Sequence, residues 1–300
     1  MSLRRRSLIV AAVLLSGCGN SAAESVPPVA PIDRVIPLDG DVAEIVFALG
    51  MGDHVVATDL SATYPPEADA LPQIGYQRAL SPEPILGFEP TLLLATDIAG
   101  PPETLDALEA AGVPLVVVPD EPTRAGAGAK VQAVADALGV PDAGAELVAT
   151  MDAEIDEALA RLDPELPDGD EPLVIGALYL RGPEVTMVLG TDYATDWIIE
   201  AVGGVNLAAE LGLTEAEPIT SEAILAAEPD VLLVTDSGLE SVGGIDGLVD
   251  TMPALARTPA GQDRAILDYD DALLLGNGPR LAQLLHALID DLATLGIEAP

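Results

Sequence analysis

The sequence predicts an α/β protein of two similar lobes, each with a central, mainly parallel sheet, joined by one long rigid helix. Three observations indicate this fold: an internal repeat, alternating strand and helix patterns, and a long amphipathic segment near the middle. The chain has 300 residues, 49% of them hydrophobic, so it can bury two medium-sized cores. We expect the first lobe over residues 33–141, the linker helix over 142–163 and the second lobe over 164–300.

The internal repeat relates residues 81–97 (SPEPILGFEPTLLLATD) to residues 220–236 (TSEAILAAEPDVLLVTD), with nine identities in 17 aligned positions. Each copy predicts a short helix capped by Ser81 or Ser221, then Glu-Pro, then an apolar run that suits a buried parallel strand. Helix-proline-strand units look alike in many α/β proteins, but so many ungapped identities favour two related lobes.

Strand and helix patterns alternate around these repeats. In the first lobe we expect a helix over 105–112, a strand over 114–118 and a helix over 127–139. The second lobe begins with a strand over 173–180 and ends with a helix over 280–295. Such alternation is typical of parallel sheets.

The linker helix is predicted by apolar residues that recur with the helical period from Asp142 to Leu162. A single helix of this kind would stiffen the pair of lobes. The residues that form its apolar face are Leu147, Val148, Met151, Ile155, Ala158, Leu159 and Leu162.

The N-terminal residues predict export. Residues 1–17 form a signal peptide, since three arginines precede an apolar stretch too short to span a bilayer. The following Cys18 ends the sequence LSGC, which resembles the lipobox of bacterial lipoproteins, where the cysteine is acylated. It is the only cysteine in the chain, so disulfides are excluded. We therefore expect a lipidated tether over 18–32 and anchoring to the outer face of the cytoplasmic membrane.

Charge and missing motifs exclude several function classes. The formal net charge is −38, with a single lysine, Lys130, and such a surface repels nucleic acid. The hydrolase motif Gly-x-Ser-x-Gly, the metalloprotease motif His-Glu-x-x-His and the phosphate-binding loop are absent. His54 and His286, the only histidines, are too few for a multi-histidine metal site. We therefore do not expect an enzyme.

Three segments carry a resemblance to a known family: residues 34–59 (RVIPLDGDVAEIVFALGMGDHVVATD), 63–81 (TYPPEADALPQIGYQRALS) and 273–280 (LLLGNGPR). They resemble the haem-binding branch of the substrate-binding lipoproteins of bacterial ABC importers, which have the class III periplasmic binding protein architecture. The resemblance implies a monomer that captures ferric haem b and delivers it to a permease and its ATPase. Ferric siderophore and cobalamin binders share this architecture and remain alternatives, as does a surface lipoprotein with an empty cleft.

By this resemblance, Tyr76 is the axial ligand of the haem iron. A phenolate is a hard anionic donor that suits ferric iron, and tyrosine is a known haem ligand. Arg78 would lie on the same side of an extended segment and could hydrogen-bond the phenolate. Alternatively, Tyr76 lies in a surface turn and covers apolar neighbours.

Some relatives add a histidine from the second lobe as the opposite axial ligand. The matching stretch here, residues 190–200 (GTDYATDWIIE), has none. We expect His54 and His286 to be structural or surface residues. The iron would then be five-coordinate, and Tyr193 or water is the alternative that would occupy the sixth position.

The remaining candidate contacts are two arginines and three aromatic residues. Arg181 follows a predicted strand end and Arg280 begins a predicted helix, so either could bind the haem propionates or instead offset nearby carboxylates. Tyr64, Tyr193 and Trp197 could pack against the porphyrin or lie in the core.

Two glutamates at repeat-related positions have a different implied role. By the resemblance, Glu83 and Glu222 would meet arginines of the permease. Each also lies in a predicted first helical turn, where negative charge is favourable without any partner. Glu44 has an ordinary explanation as the fourth residue of a capping box that begins at Asp41.

Overall fold

The computed structural model describes residues 32–162 and 172–297, and both central sheets lie within them. Cys18, the signal peptide and the tether lie outside the described residues. The first sheet has three parallel strands in the order β1-β2-β3. Its strands are β1 (Val35–Pro37), β2 (Leu92–Ala95) and β3 (Leu115–Val117), with helices α1 (Gly40–Ala48), α2 (Pro66–Asp69), α3 (Pro82–Leu86), α4 (Pro102–Ala110) and α5 (Arg124–Ala137).

One helix, α6 (Pro141–Leu159), connects the two sheets in sequence. It lies near the predicted bounds and packs against α5 and a C-terminal helix. Met151, Ile155 and Ala158 form its buried stripe, at the spacing that the sequence predicts. The rigidity of this connection stays a prediction.

The second sheet is larger and mainly parallel. Its order is β7-β5-β4-β8-β9, and β6 also pairs with β4; β5 runs antiparallel to both of its neighbours. The strands are β4 (Val174–Leu180), β5 (Thr186–Val188), β6 (Val205–Asn206), β7 (Glu217–Pro218), β8 (Val231–Thr235) and β9 (Ile266–Tyr269). The helices are α7 (Thr195–Ala201), α8 (Leu207–Leu211), α9 (Ser221–Ala227), α10 (Asp236–Ser241), α11 (Gly244–Thr251), α12 (Pro259–Gln262), α13 (Asp271–Leu275) and α14 (Leu281–Thr294).

The two repeat copies occupy equivalent places in the fold. Each forms a short helix followed by an inner strand, α3–β2 in the first sheet and α9–β8 in the second. The cap of α9 is Thr220, whose side chain accepts a hydrogen bond from the Ala223 N–H at 3.1 Å, so the predicted cap Ser221 was wrong by one residue. Ser81 is the N-cap of α3 but makes no side-chain capping bond.

Alternation along the strands explains how the core is divided. In β1, Val35 belongs to a cluster shared by both sheets, whereas Ile36 faces a cluster that belongs to the first sheet alone. In β8, Leu233 joins the shared cluster and Leu232 a separate cluster of the second sheet. Because successive side chains point to opposite faces, one face of each sheet contributes to a common core.

Candidate functional site

The predicted iron ligand lies on a loop that crosses the carboxyl edge of the first sheet. This Tyr76 loop, residues 72–80, is bonded at one end to Thr58 and at the other to Gly100, which follows β2. Gly75 has a φ of +110°, a conformation that favours glycine. Its turn leaves the side chain of Tyr76 43% exposed. The phenol is therefore presented to solvent rather than used as core.

The prediction that Tyr76 and Arg78 lie on an extended segment was wrong, because the Ala79 N–H donates to the Tyr76 carbonyl at 2.7 Å and closes a turn that contains Arg78. Arg78 is exposed, and no hydrogen bond joins it to Tyr76 among the contacts of the described residues. Burial and the charge of Glu215 raise the pKa of Tyr193, while the positive charge of Arg78 opposes this shift. The charge of Arg78, on the Tyr76 loop, therefore acts on Tyr193, just before α7.

Two further polar groups of this region lack hydrogen-bond partners. The Oγ1 atom of Thr195 and the Nε1 atom of Trp197, both in α7, are buried without one. Trp197 is partly buried against the shared core, which favours the core interpretation of its ring. Arg181 follows the end of β4, is exposed, and donates its main-chain N–H to the Val185 carbonyl at 3.0 Å.

Tyr64 and Arg280 form a second group. The Arg280 guanidinium lies 3.6 Å from the centre of the Tyr64 ring and bonds Glu44 Oε2 through Nε and Nη2, both at 2.9 Å. Glu44 is buried, and the capping-box interpretation was wrong, because Asp39 is the N-cap of α1. Arg280, the predicted propionate partner, is therefore already paired with side chains of the protein itself.

A cavity of about 800 Å³ adjoins this group. Its walls are mostly apolar and its charged groups are mostly acidic, so it does not offer the positive charge that two propionates require. Its lining residues are Glu44, Phe47, Ala48, Gly50, Gly52, Asp53, Val55, Tyr64, Pro65, Glu67, Leu71, Pro279 and Arg280.

A buried ionic cluster beside it was not predicted from the sequence. The side chain of Lys130, in α5, is fully buried and bonds Asp41 Oδ2 at 2.9 Å, and it also pairs with Asp120. Asp41 Oδ2 accepts the Asn277 N–H at 2.9 Å, which ties the residues before α14 to α1. We call Asp41, Asp120, Lys130 and Asn277 the Lys130 cluster. The available signal was a single lysine inside a predicted helix.

Carboxylate crowding perturbs the pKa values in this region. Burial and the neighbouring Asp41 raise the pKa of Asp39 from the ordinary 3.8 to about 7, although Lys130 opposes the shift. Burial lowers the pKa of Lys130, but Asp41 and Asp120 more than reverse this, so its net shift is upward. Lys130 therefore stays charged and holds carboxylates that would otherwise repel one another.

The remaining predicted residues lie apart from both groups. Glu83 and Glu222 are exposed in the first turns of α3 and α9. His54 is in a 3-10 turn, and His286 is 3.0 Å from an Arg161 nitrogen. Within residues 32–162 and 172–297, no group of three His, Cys, Asp or Glu residues could hold a metal ion, and no helix is long and apolar enough to cross a membrane.

Comparison with known proteins places this geometry in context. A family model described as periplasmic binding protein matches residues 35–273. The apo haem-binding protein RhuT of Roseiflexus sp. RS-1 is 49% identical, with a TM-score of 0.82 over 88% of this chain and 98% of that one. BhuT, solved with two haems, is 36% identical, with a TM-score of 0.80 over 87% and 98%. An ABC transporter substrate-binding lipoprotein of Bacillus subtilis, YvrC, is 23% identical over 95% of both chains.

Proposed function

We propose that this chain, which belongs to the periplasmic binding protein family, captures ferric haem outside the cytoplasm and delivers it to an ABC importer. The observation that carries the proposal is the Tyr76 loop, which holds an exposed tyrosine at the carboxyl edge of the first sheet. Open α/β sheets bind their ligands at this edge.

The residues of the site suit haem as cargo. Tyr76 supplies the hard anionic oxygen that ferric iron favours. Arg78 and Arg181 are exposed cations next to strand or loop ends, so they are available for propionates. Arg280 and Tyr64 are already paired with each other and with Glu44, and we assign them a structural role instead.

Delivery and anchoring rest on residues outside the cleft. Glu83 and Glu222 are presented on exposed first turns in the two halves of the chain, which suits docking to arginines of a permease. Cys18 would carry the lipid that keeps the protein at the membrane. The protein binds and releases its cargo without chemical change to it.

An absorbance titration with ferric haem tests the proposal. The Cys18→Ala chain, which cannot be acylated at that site, should show a saturating spectral change with phenolate-to-iron charge-transfer bands. Tyr76→Ala should lose these bands, and Tyr64→Ala, a tyrosine of similar exposure, should keep them. No saturable change with haem, but saturation with a ferric siderophore or cobalamin, would replace haem by that ligand.

A further inference from the structure

Leu60 is a large apolar side chain that is left half exposed beside the Tyr76 loop. Its side chain is 50% exposed, and its main-chain N–H donates to the carbonyl of Gly75 at 2.9 Å. Leu60 therefore lies on the segment next to Tyr76. A ligand bound by Tyr76 would therefore lie close to the segment that carries Leu60.

A buried carboxylate fixes the position of Leu60. Asp59 is fully buried and accepts hydrogen bonds from the Ser61 N–H at 3.0 Å and the Ser61 hydroxyl at 2.8 Å. The Ser61 oxygen in turn accepts the Gly40 N–H at 2.9 Å. The turn that carries Leu60 is thus held from both sides, so its exposure is built into the fold.

The composition favours aliphatic over aromatic contacts with a ligand. A porphyrin has two broad apolar faces, yet only 3% of the chain is aromatic. In the described residues, four large apolar side chains are exposed: Leu60, Tyr64, Tyr76 and Val117. Tyr64 is stacked on Arg280, and Val117 is at the end of β3, outside the Tyr76 loop. Leu60 is the one bonded to this loop.

We propose that Leu60 is a ligand-contacting residue that packs against the porphyrin of a haem bound at Tyr76, and that Asp59 positions it there. This inference rests on the proposed function for the identity of the ligand. It assigns to Leu60 a contribution to affinity and none to iron ligation.

Leu60→Ala tests the contact directly. Removal of a partly covered aliphatic side chain should weaken haem affinity about three- to tenfold, while the phenolate charge-transfer bands and the melting temperature of the free protein stay unchanged. Leu60→Phe should bind haem as tightly as wild type, because phenylalanine supplies apolar area at the same place. Val117→Ala is the matched control and should change the affinity by less than about twofold.

The outcomes separate this inference from the proposed function. If wild type binds haem with phenolate bands and Leu60→Ala binds equally well, Leu60 is not a contact. An equal loss in Val117→Ala would also overturn the specific role of Leu60. If wild type fails to bind haem at all, the proposed function itself fails.

Discussion

The Lys130 cluster and the Tyr76 loop are built in opposite ways. In the cluster, Asp41 accepts bonds from both Lys130 and the Asn277 N–H, and the lysine is inaccessible to water. In the loop, Tyr76 and Arg78 are exposed and not bonded to each other.

The difference teaches which charged residues are available to a ligand. A buried ion whose partners are all protein groups stabilises the fold only as long as every partner stays in place. An exposed polar side chain on an anchored loop contributes little to stability and can exchange water for a ligand. Substitutions in the two regions should therefore separate stability from binding.

The largest effect is expected for Lys130→Met. This change leaves the partly exposed Asp41 and Asp120 without their cation beside the buried Asp39, and breaking a pair in this way costs at most about 3–5 kcal/mol, the value for two buried partners. Chemical denaturation should show this loss of unfolding free energy. Arg264→Met, which breaks the exposed pair with Asp246, should cost less than about 1 kcal/mol. Equal losses in both variants would contradict the comparison.

Two arginine variants test the same separation of stability from binding. Arg280→Met removes the partner of buried Glu44, so we expect a loss of about 2–4 kcal/mol in unfolding free energy and little change in haem affinity. Arg78→Met should give the reverse: nearly unchanged stability and haem affinity lowered about tenfold or more. The sequence expectation that Arg280 binds a propionate would be supported if Arg280→Met weakened binding without destabilising the protein.

The raised pKa of Asp39, which lies beside the Lys130 cluster, makes the stability of the protein depend on pH. Because the folded-state pKa of about 7 lies above the ordinary 3.8, the folded chain holds the proton more tightly. The stability contribution of Asp39 is therefore full below pH 4 and is lost as pH rises to 7. Nearby charged groups are Asp41, Lys130, Asp59 and Asp120.

Asp39→Asn should remove this dependence. Between pH 4 and 8, the unfolding free energy of the variant should rise relative to that of wild type by on the order of 2–4 kcal/mol. Denaturation at each pH measures the difference between the two proteins. A constant difference across the range would show that Asp39 does not titrate there.

The smallest stability effect is expected for Glu83→Ala and Glu222→Ala. Each removes a favourable first-turn charge, which is worth about 0.3–1 kcal/mol, and neither touches the Tyr76 loop. Haem affinity should stay unchanged, whereas haem transfer to a reconstituted permease should fall. Glu103→Ala, in the first turn of α4, is the control that should leave transfer intact.

Local patterns predicted the parts of this fold that depend on local sequence. The repeat identified the inner strands β2 and β8, and the apolar stripe through Met151 and Ile155 located α6 within three residues at either end. Helical periodicity carries this information because it reflects burial of one face. The division into two lobes, like the roles of the site residues, stays a prediction.

Local patterns could not predict the long-range polar contacts. Asp41 and Asn277 are separated by 236 positions, and Asp41 looked like an ordinary helix cap. For Arg280 the sequence left two roles open, a propionate partner or a residue that offsets carboxylates, because nothing near it in sequence identifies Glu44 or Tyr64 as its partners. The role of a charged residue can be predicted only when its partners are known, and here the partners lie on other segments of the chain.

The burial of Lys130 has a chemical consequence. It is the only lysine in the chain, and its ε-amine is enclosed by carboxylates and inaccessible to solvent. An acylating reagent in solution can reach this amine only when the surrounding residues separate, so apart from the amino terminus the folded protein should resist amine labelling. The rate at which a label accumulates on Lys130 would measure how fast the Lys130 cluster opens, without any engineered probe.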